Sequence, residues 1–296
     1  AALLRCADKQ LWRRIEHYVT AARAQEDMSA VTTVGIDEVS LRKGQDYVTV
    51  VHDLAARKLL FACEGRSHQT VVDFAADLKA HGGQPHQIKH VCQDMSAAYA
   101  KGVGLALPEA QISYDRFHVV AMVNEAMDAV RRDEMATQPQ AVKDALGDND
   151  RRLLKDLTWG MRKNPQGWNK KQTATMYWLQ RSTLKSARAW RMKTALREVY
   201  RKATQTNDAS QATADLKGWI SWAQRSRLEP FKKLAKTLNA KFDGVVRGML
   251  DKRSNAYVEA MNGLLQQVKR AARGFKTAKS FIAIAYLRMS KLQHLP

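Results

Sequence analysis

Three acidic residues of this chain have positions in which they could hold divalent metal ions. Asp37 follows the short apolar run 34–36, Asp94 directly follows the segment 91–93, and Glu259 lies in the helix-like segment 254–262. Acids are scarce here, because 29 Asp and Glu stand against 49 Lys and Arg, for a formal net charge of +20. Carboxylate-bound metals can generate an attacking oxygen and stabilise a leaving oxygen at a phosphodiester. The pattern therefore indicates phosphoryl transfer on a nucleic acid.

Each of these acids also fits a structural role when it is considered alone. An Asp that follows a strand commonly closes a turn or caps the next helix. We assign Glu38 and Asp53 to this structural class, although spacing alone leaves Glu38 open as an alternative to its neighbour Asp37. The hypothesis of a metal site depends on the arrangement of all three acids.

The composition of the chain limits which classes of molecule it could bind. A hydrophobic content of 45% is that of a folded protein, and a sequence pI near 10.0 favours a polyanion, either nucleic acid or, as the competing possibility, an anionic membrane surface. The apolar runs, such as 281–287, are too short to cross a bilayer. The three cysteines show no CxxC spacing, so we expect no disulfide framework and a reducing cytoplasm.

The elements that must position the acids follow from hydrophobic periodicity. We predict a mixed α/β sheet, in which a right-handed crossover brings the fourth strand beside the first and Asp94 beside Asp37. Ser96 is expected to cap the helix that follows Asp94. In chain order the predicted elements are one or two helices over 4–26, strands 31–39, 46–53 and 58–63, helix 68–80, strand 88–93, helix 96–107, strand 111–117 and a long helix.

The stretch 136–250 has a different character. It contains no strand-like run, and it carries 24 Lys and Arg against 9 Asp and Glu, a net charge of +15. It also holds six of the seven tryptophans. We interpret it as a helical insertion with a basic surface, and we expect Trp178, Trp190, Trp219 and Trp222 to pack in its core instead of stacking on bases.

The last acid lies on a predicted amphipathic helix, 252–274, which precedes a final helix at 277–293. Its apolar positions Val258, Met261 and Leu265 share one face, and Glu259 lies on the polar face. That polar face could place a metal-binding acid and phosphate contacts along one DNA strand. The candidate DNA contacts are Arg42, Lys43, Asn262, Gln266, Lys269, Arg270 and Arg273.

Three segments together resemble a known family. They are 35–53 with Gly35-Ile-Asp-Glu, 94–124 with Asp94-Met-Ser and Asp115-Arg-Phe-His118, and 254–275 with Ser254-Asn-Ala-Tyr-Val-Glu259. In combination they are similar to the DDE transposases of the RNase H-like superfamily, and in particular to the ISL-three-type enzymes of bacterial insertion sequences. The resemblance covers about 31–135 and 250–290 and is diffuse in the basic stretch between them.

The resemblance implies a fold, a reaction and a set of residues. The fold would be an RNase H-like mixed sheet flanked by helices, with an all-helical basic insertion before the last acid. Asp37, Asp94 and Glu259 would be the catalytic, metal-binding triad, using Mg²⁺, which Mn²⁺ can replace. The reaction would be DNA cleavage by water followed by strand transfer by a DNA 3′-hydroxyl. Asp115 and His118 would be auxiliary, although packing at a strand end is an equal alternative for His118.

The resemblance also implies partners and domains. The partner would be double-stranded DNA (transposon ends and target), bound by a homo-oligomer in the bacterial cytoplasm, associated with the nucleoid and not with a membrane. Because the family usually has an N-terminal zinc-binding module and a helix-turn-helix, we expect this chain to be a fragment or a truncated reading frame. The predicted domains are a helix-turn-helix remnant at 1–27, the first part of the catalytic core at 28–135, the insertion at 136–250 and the last core helices at 251–296.

Two other functions stay open at this level. One is a non-catalytic DNA-binding transposase fragment or regulator, and the other is an RNase H-like nuclease that cleaves strands without joining them. The three acids favour the transposase over the regulator, whereas only the family resemblance separates it from the nuclease.

Overall fold

The chain forms two compact units. The computed structural model describes residues 7–42, 46–137, 151–251, 255–293 and 295, and the side chains at 42, 151–155, 255, 256, 258, 259 and 262 lie outside this description. The sheet unit comprises Ala1–Asp115 and Asp251–Pro296, and the helical unit comprises Arg116–Leu250.

The sheet unit contains a five-stranded mixed sheet, which confirms the predicted mixed α/β class. The strands are β1 (Thr33–Arg42), β2 (Asp46–Asp53), β3 (Lys58–Glu64), β4 (His90–Gln93) and β5 (Gln111–Tyr114). Their spatial order is β3-β2-β1-β4-β5. The first three strands form an antiparallel meander, whereas β4 runs parallel to both β1 and β5. The predicted pairing of the fourth strand with the first is therefore confirmed.

Twelve α-helices are described. They are α1 (Asp8–Arg23), α2 (His68–Ala80), α3 (Ala97–Ala106), α4 (Arg116–Thr137), α5 (Arg151–Arg162), α6 (Lys170–Arg181), α7 (Lys185–Thr206), α8 (Ala209–Arg225), α9 (Glu229–Ala240), α10 (Phe242–Leu250), α11 (Asn255–Ala271) and α12 (Ala278–Met289). In the described part of the chain, none of these helices is long and apolar enough to cross a bilayer.

The two faces of the sheet are covered by different helices. On one face Val34, Ile36 and Val91 pack with the buried residues of α2 and α3. On the other face Val39 and Val50 pack with buried residues of α1, α11 and α12. This division follows from strand geometry, because successive side chains of a strand point to opposite faces. It also decides which polar residues of β1 face which helix.

The predicted strand 111–117 is wrong at its carboxyl end. The strand stops at Tyr114 and α4 begins at Arg116, so Phe117 is helical, with its side chain 57% exposed. The apolar residues that continue past Asp115 have helical spacing, since Val119 and Val123 are both fully buried one turn apart. An apolar run that crosses a strand–helix junction does not reveal where the period changes.

The helical unit is built on buried apolar side chains from its helices, and its described residues contain no strand. The predicted core positions of Trp190 and Trp219 are confirmed, because these side chains are only 7% and 3% exposed. Trp178 is half-buried. The prediction is wrong for Trp222, which is 37% exposed, since the buried residues of α8 lie on a stripe through Leu216, Trp219 and Ala223.

Candidate functional site

The first acid, Asp37, is buried in the middle of β1. Its neighbours Ile36 and Val39 pack on opposite faces of the sheet, so alternation puts Asp37 on the face that α11 covers. One carboxylate oxygen accepts a hydrogen bond from the backbone N–H of Glu38 at 2.7 Å. Asp37 therefore has a fixed position on a central strand.

The second acid, Asp94, lies beside Asp37. In the parallel pairing of β1 and β4 the last matched residues are Ile36 and Gln93, so the two acids occupy the next positions on adjacent strands. Neighbouring strands are about 4.8 Å apart, which places the two carboxylates within reach of a shared cation. Both acids thus lie at the carboxyl-terminal end of the β1–β4 pairing.

Asp94 also has the structural role that an acid after a strand often has. Its Oδ1 accepts a hydrogen bond from the N–H of Ser96 at 2.8 Å, and the Ser96 hydroxyl caps α3 by accepting from Tyr99 N–H. The predicted capping by Ser96 is confirmed. Because the turn uses only Oδ1, the turn and a metal ligand at Oδ2 are compatible.

A third aspartate continues the row. Tyr114 of β5 pairs with Gln93, and the N–H of the next residue, Asp115, donates to the Gln93 carbonyl at 2.9 Å. The Asp115 side chain is 7% exposed. Three neighbouring parallel strands therefore bring Asp37, Asp94 and Asp115 to one edge. His118 belongs to α4 in the helical unit, where it is half-buried and makes an edge contact with Phe117.

Glu38 is adjacent to Asp37 in sequence but belongs to the opposite face. It pairs with Thr49, whose hydroxyl is hydrogen-bonded to Tyr99 of α3 at 3.0 Å, and its carboxylate lies 3.8 Å from Arg66. The alternative in which Glu38 replaces Asp37 among the acids that face α11 is therefore not supported. Asp53 has the predicted turn role, because its Oδ1 accepts from the N–H groups of Ala55 and Ala56.

Three neighbouring acids, two of them from this row, change the pKa of Tyr99 in α3. Burial raises the pKa of Tyr99, and the carboxylates of Glu38, Asp94 and Asp37 raise it further. All three acids therefore act on one buried phenol, whose hydroxyl is hydrogen-bonded to Thr49. The Tyr99 hydroxyl stays protonated near neutral pH and fixes α3 against β2.

The helix that carries the third predicted acid runs along β1. The chain returns to the sheet unit at Asp251, whose carboxylate is 2.8 Å from His90 at the start of β4. Further along, Tyr257 packs with Leu54 and Cys92, and Leu265 packs with Val39 and its neighbours. Near the end of α11, Lys269 donates to the Ser40 carbonyl at 2.7 Å.

These contacts give the course of the α11 backbone. Tyr257 lies over the paired residues Cys92 of β4 and Gly35 of β1, and Leu265 lies over Val39. Asp37 lies between Gly35 and Val39 on the same face. The backbone of Glu259, two residues after Tyr257, therefore lies over the part of β1 between Gly35 and Val39, near the Gly35 end. The side chain of Glu259 lies outside the described residues.

Two buried polar groups beside this helix were not singled out from the sequence. The rings of His52 and Tyr257 meet edge to face at 5.9 Å, and neither the two His52 ring nitrogens nor the Tyr257 hydroxyl has a hydrogen-bond partner in the described chain. Burial lowers the pKa of His52 to about 4 and raises that of Tyr257 to about 12. The available signal was a histidine directly after the β-branched run 48–51.

The side chains of the predicted DNA contacts differ in their exposure. Gln266 is half-buried, whereas Arg270 and Arg273 are exposed. Lys269 is half-buried, and its ammonium group bonds to the β1 backbone. Lys43 and the side chains of Arg42 and Asn262 lie outside the described residues.

Within the described side chains, no group of three or more His, Cys, Asp or Glu converges to hold a metal ion. The pair Asp37 and Asp94 nevertheless fits a magnesium-like cation, because such ions accept one or two carboxylates and keep several waters. The donor set is oxygen only, which also favours a hard divalent ion over zinc.

The sequence also matches a family of known proteins. A family model for transposases of the ISL3 type matches residues 34–285. The chain is 30% identical over 272 residues to the transposases for insertion sequence element IS1557 of two Mycobacterium tuberculosis strains, a match covering 87% of this chain and 60% of theirs. It is 27% identical over 262 residues to the transposase for insertion sequence element IS1001 of Bordetella parapertussis, covering 88% of this chain and 62% of that one.

The chain thus spans about 60% of the length of these relatives. The family match runs from β1, which carries Asp37, into the last helix, so it includes both aspartates and the helix with Glu259. On the extent of that match, this chain belongs to the ISL3 family of DDE transposases.

Proposed function

We propose that this chain forms the catalytic part of a DNA transposase that cleaves and joins strands at the ends of an insertion sequence. The observation that carries the proposal is the adjacency of Asp37 and Asp94 at the end of the β1–β4 pairing, on the face that α11 crosses. We interpret the sheet as RNase H-like, with residues 136–250 as a helical insertion before the last acid.

Asp37, Asp94 and Glu259 would hold the metal ions, for which we propose Mg²⁺, with Mn²⁺ able to replace it. The bound ions would supply Lewis-acid stabilisation of the charge on the reacting phosphate. The sheet supports this proposal for two of the three proposed ligands. Asp37 comes from within a buried strand, and Asp94 is held by its hydrogen bond to Ser96 N–H, so neither carboxylate must be ordered when DNA binds.

In the proposed reaction, the bonds that form and break are all in the DNA and the attacking water. The oxygen of a water attacks phosphorus, the bond from phosphorus to the 3′ oxygen breaks, and a 3′-hydroxyl and a 5′-phosphate result. The released 3′-hydroxyl then attacks a phosphorus of the target strand in the same way, which joins the strands. The protein holds the reacting atoms in line, and Asp115 and His118 are proposed to help position the DNA strand.

The net charge supports DNA as the partner. Cations that contact phosphates release counterions from DNA and provide affinity that is independent of sequence. The polar side of α11 would carry Asn262, Gln266, Arg270 and Arg273 along the strand that enters the acids. Transposition joins two ends, so we also propose that the active form on DNA is a homo-oligomer.

The test is divalent-metal-dependent cleavage and joining of labelled duplexes that carry the ends of the insertion sequence. We expect Asp37→Asn, Asp94→Asn and Glu259→Gln each to lower the rate by about a hundredfold to a thousandfold, because metal binding contributes several kcal/mol and each 1.4 kcal/mol is about tenfold. DNA binding, measured by fluorescence anisotropy, should persist in all three variants.

Glu38→Gln is the matched control, since it removes an adjacent acid on the opposite face of the sheet. We expect its activity to stay within a few-fold of wild type. A wild type that binds DNA without cleaving it would contradict the catalytic proposal and favour the DNA-binding regulator. Cleavage without joining would favour the nuclease.

A further inference from the structure

A basic groove lies between α1 and the turn that joins α11 to α12. Its volume is about 650 Å³, and both of its walls belong to the sheet unit. Lys9 and Arg13 line it from α1, and Lys276 and Lys279 line it from the turn and the start of α12. All four of these side chains are exposed.

The turn is held in place by aromatic contacts. Phe275 makes edge contacts with Trp12 of α1 at 6.2 Å and with the fully buried Phe281 of α12 at 5.5 Å. At the end of α11 the backbone N–H of Gly274, which has a φ of 98°, donates to the Lys269 carbonyl. These contacts fix the positions of both walls, so the groove is a built feature of this face.

The cations of the groove differ from those exposed cations that form ion pairs within their own helix. Lys232 and Arg201 each lie within 2.7 Å of a carboxylate on their own helix. In the described part of the chain, by contrast, none of the four groove cations is within 4 Å of a carboxylate. Asp8 and Glu16 also line the groove, which leaves two more cations than acids. The groove thus presents unneutralised positive charge to an anionic ligand.

The groove continues the polar side of α11. The helix rises about 1.5 Å per residue, so its end at Ala271 is about 18 Å along the axis from Glu259. One strand of DNA advances about 3.4 Å per phosphate, so this length corresponds to about five base pairs. Arg270, in the last turn of α11, and Arg273, between the groove-lining residues Ala272 and Gly274, are both exposed.

We infer that this groove binds the DNA backbone about five base pairs from the phosphate that reacts at the acids. The inference rests on the proposed function, since it uses the acids to define that distance. Lys9, Arg13, Lys276 and Lys279 contact phosphates there without reading sequence. The groove sets the direction in which the DNA leaves the acids along α11.

The first experiment measures the affinity of the chain for a duplex carrying the insertion-sequence end as a function of salt. Lys276→Gln with Lys279→Gln should lower the magnitude of the salt slope by about 1.8 and weaken binding at 0.1 M salt by at least about tenfold, because two phosphate contacts are lost. The control is Lys89→Gln with Lys101→Gln, which removes two exposed lysines from the sheet unit away from the groove. That control should leave slope and affinity unchanged.

The second experiment tests the distance. Uncharged methylphosphonate linkages placed about five base pairs from the cleavage position should weaken binding by the wild type and have no further effect on the groove variant. Unchanged slope and affinity in the groove variant, or a full methylphosphonate effect in that variant, would overturn the inference while the proposed function stands. A wild type that binds no DNA would instead overturn the proposed function.

Discussion

The two units of the chain differ in how their buried polar groups are hydrogen-bonded. In the helical unit the Glu134 carboxylate accepts hydrogen bonds from Lys185 N–H, Ser186 N–H and the Ser186 hydroxyl, at 2.6 to 2.8 Å. There the buried ammonium group of Lys193 donates to the carbonyls of Met161 and Arg162. These two charged groups complete the start of α7 and the end of α5, where backbone groups lack helical partners.

Within the described residues of the sheet unit, several buried polar atoms near the candidate acids have no hydrogen-bond partner. They are both ring nitrogens of His52, both amide atoms of Gln93 and the hydroxyl of Tyr257. Buried polar groups normally find partners, and exceptions concentrate where function opposes stability. The helical unit has an exception of its own in the Asn124 amide oxygen. The comparison teaches that these buried charges of the helical unit bond to backbone groups at helix ends, whereas the polar atoms beside the candidate acids have no such partner within the described residues.

The largest expected effect on stability tests the helical side of this comparison. Glu134→Gln should lower the free energy of unfolding by about 1–3 kcal/mol, because an amide offers one acceptor and places its own N–H donors against those of residues 185 and 186. Chemical denaturation monitored by circular dichroism measures this. Asp133→Asn is the matched control on the exposed side of α4. Equal effects of the two substitutions would show that the Glu134 network contributes nothing.

The second prediction is a pH dependence of stability that arises from His52 in the sheet unit. Since burial lowers the pKa of His52 from 6.5 to about 4, unfolding takes up a proton between these values. Stability should therefore fall as pH drops from about 6.5 toward 4, with a contribution of up to about 3 kcal/mol from this group. His52→Phe should remove that part of the pH dependence, whereas His86→Gln, which removes an exposed ring, should not. Parallel curves for His52→Phe and wild type would contradict the assignment.

The smallest expected effect on stability has the opposite sign, because it is a stabilisation. Tyr257→Phe removes a buried hydroxyl that has no hydrogen-bond partner in the described chain, so it should leave stability unchanged or raise it by up to about 1 kcal/mol. Tyr286→Phe is the matched comparison, because its hydroxyl accepts from Ala62 N–H at 2.8 Å, and its loss should destabilise the chain by about 1–2 kcal/mol. Thermal melting of the two variants measures both. A destabilised Tyr257→Phe would indicate that its hydroxyl has a partner.

Much of the sheet unit could be predicted from the sequence. The bounds of β2 agree with the predicted run 46–53, because its β-branched residues lie between clear turn signals. Ser96 was recognisable as a cap because capping is a local interaction. The end of β5 and the exposure of Trp222 were mispredicted, since each depends on which helix packs against the residue.

The sequence by itself determined the order of elements and the mixed α/β class, since local periodicity encodes these features, and it singled out the three acids as candidates by residue type. Only the tertiary structure decided that Asp37 and not Glu38 faces α11, that Asp115 extends the row of aspartates and that His52 is buried beside Tyr257. The physical reason is that alternation gives a residue one of two faces, whereas the element that covers each face is chosen by contacts far apart in the chain.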